Sequence, residues 1–225
     1  MSPLTRYAIY GAAGYGRGVM PLLREQLESS GEKGELLFVD DDRSRQTDRV
    51  NGVRCISFDQ LIAGDIASTR IAIAVADSNI RKKLMEKCQI AGLRFFEVTA
   101  KNHIRYDRVD IAPGAIFCAH TSVTSNVSVG AHFHCNIYSY VEHDCVIGDF
   151  VTFAPRVSCN GNVVIEDGAY IGTGAVLKQG TPERPLRIGK AAVVGMGAVV
   201  IRDVAPGSTV VGNPARPLAS PGPNR

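Results

Sequence analysis

One run of the chain concentrates side chains able to move a proton. Residues 131–145 read AHFHCNIYSYVEHDC and carry His132, His134 and His143, with His120 just upstream. His143 stands between Glu142 and Asp144. A neutral imidazole beside a carboxylate is a general base near neutral pH, because the carboxylate fixes the tautomer and stabilises the imidazolium that forms. Eighteen residues further on is Gly161, in SCNGNV. If the chain coils with that repeat length, Gly161 stacks on His143. Its lack of a side chain then lets a substrate approach, and its N–H can face a developing oxyanion. The plainer reading is that both are ordinary turn residues. The histidines also raise the question of a metal, but ligands must converge on one point. His120, His132, His134 and His143 fall at different registers of the period described below, so no metal is expected. The first three read as exposed turn or subunit-contact residues.

A second candidate lies at the N-terminus. Gly11, Ala12, Gly14, Tyr15 and Gly16 form the turn GAAGYG between an apolar stretch and a helical pattern. Amides at the start of a helix can hold a phosphate. The spacing is not G-x-G-x-x-G, so dinucleotide binding is disfavoured.

Two kinds of patterning must position these residues. Over residues 1–100, short apolar runs alternate with helical periodicity. Strands are expected at Tyr7–Tyr10, Leu36–Val39 and Ile71–Ala76. A helix is expected after the glycine turn, with Val19, Met20, Leu22, Leu23 and Leu27 inward, and another from Asn79 to Ala91, with Ile80, Leu84, Cys88 and Ala91 on one face. This predicts a small parallel sheet in a Rossmann-like α/β domain.

Over residues 101–225 the pattern changes. Every sixth residue from Ile111 to Leu177 is apolar or Cys: Ile111, Phe117, Val123, Val129, Cys135, Val141, Ile147, Phe153, Cys159, Ile165, Ile171 and Leu177. Chance gives such a run less than about once in ten thousand trials at this composition, and a period of six marks a parallel β-helix of hexapeptides. Four residues after most of these positions comes a small or β-branched residue, as at Ala115, Val127, Ser139, Cys145 and Ala175. Three hexads make an 18-residue coil, so residues 18 apart stack at the strand spacing of about 4.8 Å. The frame breaks at residues 180–187 and resumes at Ile188, Val194 and Val200, for about five coils. Cys135, Cys145 and Cys159 then face the core as reduced thiols.

The remaining composition excludes several classes. Of 225 residues, 45% are hydrophobic and 21% charged, and the net charge is +3. The basic residues are scattered, which argues against a nucleic-acid partner. No stretch approaches the length of a membrane span, and the first residues do not read as a signal peptide. Six cysteines without a CxxC pair fit a cytoplasmic protein.

The segment EHDCVIGDFVTFAPRVSCNGNVVIEDGAYIGTGAVLKQG, with the GAAGYG turn, the Asp40–Asp42 cluster and the closing GNPARP, resembles the sugar acetyltransferases related to sialic acid O-acetyltransferase. These include N-acetyltransferases of UDP- or dTDP-linked 4-amino sugars. The resemblance implies that the β-helix is left-handed, that the protein is a homotrimer with active sites between subunits, and that acetyl-CoA is the donor. It also implies a role in polysaccharide biosynthesis. It assigns His143 as the base, Asp144 as its carboxylate where relatives often have Glu, and Gly161 as the residue facing the thioester oxygen. Gly172, Gly174, Ala175, Gly195, Met196 and Gly197 match the pantetheine-lining backbone, and Asn213, Pro214 and Ala215 the turn near the adenine. Gly11, Ala12, Gly14, Tyr15 and Gly16, with Asp40 and Asp41, match the nucleotide-sugar site. Tyr15 stands where relatives often have His, and Thr152 where one relative has His. The implied reaction is acetyl transfer to a sugar amine, at C4. The alternatives are O-acetylation of a free sugar and a non-catalytic nucleotide-binding scaffold.

Overall fold

The computed structural model describes residues 4–46 and 49–218. Its first part is a six-stranded sheet. Strands β1 (Thr5–Tyr10), β2 (Gly34–Val39), β3 (Arg49–Val50), β4 (Val53–Ile56), β5 (Thr69–Ile73) and β6 (Arg94–Phe95) lie in the order β3-β4-β2-β1-β5-β6. All neighbours are parallel except β3 and β4, a short hairpin at the edge. Helix α1 (Gly14–Ser30) follows β1, α2 (Phe58–Ile62) follows β4, and α3 (Ser78–Ile90) follows β5. The chain runs from β1 to β2 on one side and places β5 on the other. The topological switch point, where such sheets open a crevice, therefore lies at the end of β1, at the glycine turn.

Helix α1 buries Val19, Met20, Leu23 and Leu27 against the sheet, as its period predicts. Helix α3 corrects the sequence expectation. Its Ile80 is half exposed, and the residue driven inward is Arg81, with no accessible surface. The cause is the second domain, which packs on this side of the helix and accepts the guanidinium. Helix α2 carries a signal that periodicity alone misses: Ser57 and Gln60 form a reciprocal capping box.

The second part is a parallel β-helix. Its strands fall in three sheets, and each pairs with the strand one coil away: Phe117 with Cys135, Cys135 with Phe153, Phe153 with Ile171. The inward positions from Phe117 to Leu177 form one continuous buried core, against which Ile111 packs. The second small position is equally buried, as at Ala115, Cys145 and Ala175. Ile165 pairs with Ile188, twenty-three residues on, so five extra residues loop out where the period breaks.

The coil begins two hexads earlier than the apolar frame. Strands β7 (Val98–Thr99), β8 (Ile104–Arg105) and β9 (Val109–Ile111) make the first coil, with Thr99 and Arg105 in register with Phe117 and Val123. The first coil has only one neighbour, and solenoids cover such ends with polar residues. His103 stacks on Phe117 at 4.5 Å, and the Arg105 guanidinium lies 5.4 Å over the same ring. Arg105 is fixed by Glu97 at 2.6 Å. Burial pushes the His103 imidazole down to about 4, with the neighbouring Arg105 adding to it.

The corners of the coil have a period of their own. Every sixth residue from Arg108 to Gly174 has a positive φ, and nine of these twelve are not glycine. They form three columns. Asn126, Asp144 and Asn162 stack on one corner; His132, Phe150 and Gly168 on the second; His120, Tyr138, Arg156 and Gly174 on the third. The α/β domain covers the second corner and the sheet beside it.

Candidate active site

On the first corner, Asp144 occupies the left-handed turn position with φ 58°. That conformation folds its short side chain back toward the residue before it. Asp144 Oδ2 lies 2.8 Å from His143 Nδ1. The shorter arm of Asp, compared with Glu, therefore spans the distance. The other carboxylate oxygen accepts from Asn126 Nδ2 at 3.2 Å, one coil earlier. The pair is open to solvent, at 44% and 46% side-chain exposure. A neutral His143 that donates from Nδ1 to Asp144 leaves Nε2 as an acceptor.

Gly161 sits against the imidazole. A Cβ at this position would stand 2.5 Å from His143 Cε1 and 2.6 Å from Nε2. Only glycine fits without moving the ring. The His143 carbonyl accepts from the Asn162 amide at 3.0 Å, which ties the two coils together. Among the described residues the Gly161 N–H has no hydrogen-bond partner, while its carbonyl accepts from Gly180 one coil on. Beneath the turn, the Cys145 thiol approaches the Asn160 carbonyl at 3.3 Å and accepts from the Val163 N–H at 3.4 Å.

The third corner carries the second group. Gly174 and Gly197 have φ near +70°, and a Cβ on either would meet nothing within 4 Å, so the ridge there is open. Gly172 and Gly195 are needed for coil stacking: a Cβ would reach 2.6 Å from the Met196 amide or 2.7 Å from a Val211 methyl. Met196 is 83% exposed. Asn213, Pro214 and Ala215 close the helix beside them, the Ala215 N–H donating to the Val199 carbonyl. Ala175 is a correction. Its methyl is in the core, and both its amide and its carbonyl are spent on Gly172 and Ser158, so it supports the ridge from behind.

The third group is the glycine turn. Gly11 has φ 105°, and Gly16 packs so closely on it that a Cβ would fall 1.7 Å from the Gly11 carbonyl oxygen. Residue Ala13 caps α1 without a side-chain acceptor. The first amides of the helix, at Gly14 and Tyr15, are thus left for a ligand. Asp40 is buried and holds the turn, accepting from the Ala12 N–H at 2.8 Å and the Asp42 N–H at 3.0 Å. Asp41 is more open. Partial burial opposes its charge, but hydrogen bonds from Lys87 and Tyr10 win, and the carboxyl sits below its usual range. Lys87 also lies 4.2 Å over the Phe58 ring. Tyr15 directs its side chain away from this group. Its ring is 5.1 Å from that of His134, and its hydroxyl is near Cys118, so the residue serves the domain seam.

His132 and His134 are also corrections: they are buried, at 3% and 1% exposure. His134 contacts the Ile73 carbonyl through Nε2 at 2.9 Å and Arg81 through Nδ1 at 3.3 Å. His132 stacks on Phe150 and meets Phe95 edge-to-face. The α/β domain covers both. Arg81 stitches that seam, donating to the Val75, Ala76 and Phe150 carbonyls and to the Thr152 hydroxyl. Thr152 in turn donates to the Ala76 carbonyl at 3.1 Å. The three histidines of the run and His120 thus stand on different corners and faces. No group of three or more His, Cys, Asp or Glu among the described residues is placed to hold a metal ion. No described helix is long and apolar enough to cross a membrane.

Comparison with known proteins places this architecture. Residues 6–88 match the family model of the PglD N-terminal domain. The chain is 44% identical over 213 residues to the GDP-perosamine N-acetyltransferase of Escherichia coli O157:H7, covering 94% of this chain and 96% of that one. The structure of WeeI from Acinetobacter baumannii AYE superposes with a TM-score of 0.89 at 50% identity, covering 95% of this chain and all of WeeI. The acetyltransferase domain of PglB from Neisseria gonorrhoeae FA1090, solved with acetyl coenzyme A, superposes at 0.85 with 28% identity, covering 96% of this chain and all of that domain. An α/β domain followed by a left-handed hexapeptide β-helix defines a sugar acetyltransferase of the hexapeptide-repeat class. Within that class, the chain belongs to the acetyl-CoA-dependent N-acetyltransferases of nucleotide-linked amino sugars.

Proposed function

We propose that the chain acetylates the C4 amine of a GDP-linked 4-amino-6-deoxy sugar, with His143 as general base. The observation that carries the reading is the His143–Asp144 pair at 2.8 Å, lying over a glycine where any side chain would displace the ring. His143 Nε2 takes a proton from the amine as nitrogen attacks the thioester carbon. Asp144 stabilises the imidazolium, and Asn126 keeps Asp144 in place. The free Gly161 N–H holds the oxyanion of the tetrahedral intermediate. Its collapse breaks the C–S bond, and the His143 imidazolium returns its proton to the leaving sulfur, so that CoA departs as the thiol.

The acceptor's phosphates lie at the Gly14–Gly16 amides, where the N-terminal dipole of α1 favours negative charge. Asp41, kept ionised by Lys87 and Tyr10, accepts from the nucleoside. The sequence resemblance pointed to UDP or dTDP; the relative named for GDP-perosamine moves the preference to guanine. Pantetheine lies along the open ridge of Gly174 and Gly197, with Asn213 to Ala215 near the adenine. That ridge and His143 occupy different corners of one coil. Two helices side by side bring one corner of each together, which supports a homotrimer with sites between subunits.

The test is thiol release from acetyl-CoA against GDP-perosamine, UDP- and dTDP-linked 4-amino-6-deoxy sugars, and free sialic acid. We expect turnover with the GDP sugar, and a loss of about 10²- to 10⁴-fold in kcat for His143→Ala. Turnover with free sugar alone would move the chain to O-acetylation. An active His143→Ala would remove the base assignment.

A further inference from the structure

We infer that Cys145 and Tyr140 are positioning residues for the reaction: through Asn160 they hold the Asn160–Gly161 peptide so that the Gly161 N–H points out of the coil, at the thioester. The inference rests on the reading of that N–H as the oxyanion donor. A peptide unit is planar, and in its trans form the C=O and N–H point in opposite directions. The Asn160–Gly161 bond is trans. The direction of the Asn160 carbonyl therefore sets the direction of the Gly161 N–H. That carbonyl points into the core. Among the described residues its hydrogen-bond partners are two thiols, Cys145 Sγ at 3.3 Å and Cys159 Sγ at 3.8 Å. Both are buried, at 1% and 0% exposure. Cys145 Sγ accepts from the Val163 N–H at 3.4 Å, which leaves its own proton for the carbonyl. The same sulfur is 3.6 Å from the His143 carbonyl oxygen, so one thiol lies beneath both the base and the donor.

The two thiols meet at this one level of the coil. The residues that stack on Cys145 are Val127 and Val163, and those that stack on Cys159 are Val141 and Leu177. Aliphatic side chains donate to no carbonyl, so the equivalent peptides of the neighbouring coils lack this anchor. A thiol is a weak donor. What it supplies here is aim. A buried carbonyl with no partner is costly and turns toward water, and the N–H on the other side of the peptide would turn inward with it. The Asn160 side chain fixes the outer end of the unit. The Tyr140 hydroxyl donates to its Oδ1 at 3.0 Å, and its Nδ2 donates to the Leu177 carbonyl at 2.8 Å. The Asn160 N–H donates to the same carbonyl at 3.4 Å. Residue 160 is thus tied at its amide, its side chain and its carbonyl, and the next amide in the chain is the one left open. Among the described residues neither Cys145 nor Tyr140 bonds the His143 imidazole, whose partner is Asp144. The aim of the donor can therefore be perturbed apart from the base.

The experiment compares Cys145→Ala with Cys145→Ser in the full-length protein, with acetyl-CoA and GDP-perosamine. The two side chains are of nearly equal size, and only serine can donate to a carbonyl. In Cys145→Ala, kcat should fall about ten-fold, with the KM of either substrate in place and the pH profile of kcat, set by the base, unmoved. Cys145→Ser should keep kcat within about three-fold of the wild type, although its buried hydroxyl makes it no more stable than the alanine variant. An equal loss of kcat in the two, tracking their melting temperatures, overturns the inference, because Cys145 then acts by packing alone. Tyr140→Phe leaves the core untouched and tests the same peptide if Cys145→Ala does not fold. Its kcat should fall about three-fold at constant KM. An unchanged kcat, or a rise in the acceptor's KM, overturns the role of Tyr140. The Gly161 amide resonance reads the donor without any acceptor, in protein labelled at its glycine nitrogens, where Gly161→Ala identifies the signal. It should shift when acetyl-CoA binds the wild type, and should already be displaced in free Cys145→Ala. If acetyl-CoA leaves it in place, the donor reading falls and the inference with it. If it responds in the wild type while Cys145→Ala keeps full kcat, the donor reading stands and the anchoring alone falls.

Discussion

His134 and His143 are nine residues apart on the same β-helix and live in opposite surroundings. His134 is sealed in the seam between the domains, held by the Ile73 carbonyl and by Arg81. Its burial, with Arg81 beside it, drives the imidazole well below its ordinary value, so it stays neutral. His143 stands in an open turn with a carboxylate on one nitrogen and the other free. Within the β-helix, His134 lies on a strand and His143 in a turn. The larger difference is whether the α/β domain covers that side of the coil. In this protein, a histidine under the domain is structural, and a histidine on an uncovered corner beside a carboxylate is available for chemistry.

The sharpest way to break the comparison is at the seam. Arg81 is fully buried, yet among the described residues no carboxylate forms an ion pair with it; carbonyl oxygens from both domains solvate it instead. Burial lowers its pKa to about 10, which leaves it cationic at neutral pH. Arg81→Met removes the cation and strands the Val75, Ala76 and Phe150 carbonyls. The expected loss is about 3–5 kcal/mol of folding stability, from unpaired buried acceptors. Chemical denaturation measures it. A loss under about 1 kcal/mol would mean that the seam does not depend on this side chain.

The seam was also the least legible part of the sequence. An arginine at a helical position reads as surface, and Ile80 beside it reads as core; the structure reverses both, because the domain that buries Arg81 is folded from residues far along the chain. His132 and His134 were misplaced for the same reason. The β-helix was legible because a solenoid repeats its inward position every six residues, so weak signals add. Its first coil was hidden by Thr99 and Arg105, which meet the end of the core. The left-handed corners were hidden too, since coil hydrogen bonding imposes them on residues such as Tyr138 and Phe150 that give no turn signal. The pairing of His143 with Gly161 followed from the 18-residue offset. The same offset applied backward from Asp144 finds Asn126, which the sequence reading missed.

A smaller perturbation sharpens the comparison at the open corner. Gly161→Ala puts a methyl about 2.5 Å from the His143 ring. The ring is half exposed and can swing away, so stability should change by less than about 1 kcal/mol. Catalysis should fall by about ten- to a hundred-fold, since a displaced base loses its alignment with the thioester. Measuring kcat beside the melting temperature separates the two. Unchanged kcat would show that the close packing of ring on glycine has no part in the reaction.

The smallest effect concerns pH. Burial, with a further push from Arg81, takes the His132 imidazole down to about 4. Among the described residues, its buried Nδ1 has no hydrogen-bond partner. In the unfolded chain the same group titrates near 6.5. Between those values the unfolded state binds the extra proton, so stability falls as pH drops through about 6.5 and stops falling from this source below about 4. His132→Phe keeps a ring between Phe95 and Phe150 and removes the titration. Stability at pH 7 should hold or rise slightly, and the acid-side slope of stability against pH should become shallower. An unchanged slope would assign the acid sensitivity to the other depressed imidazoles, His103 and His134.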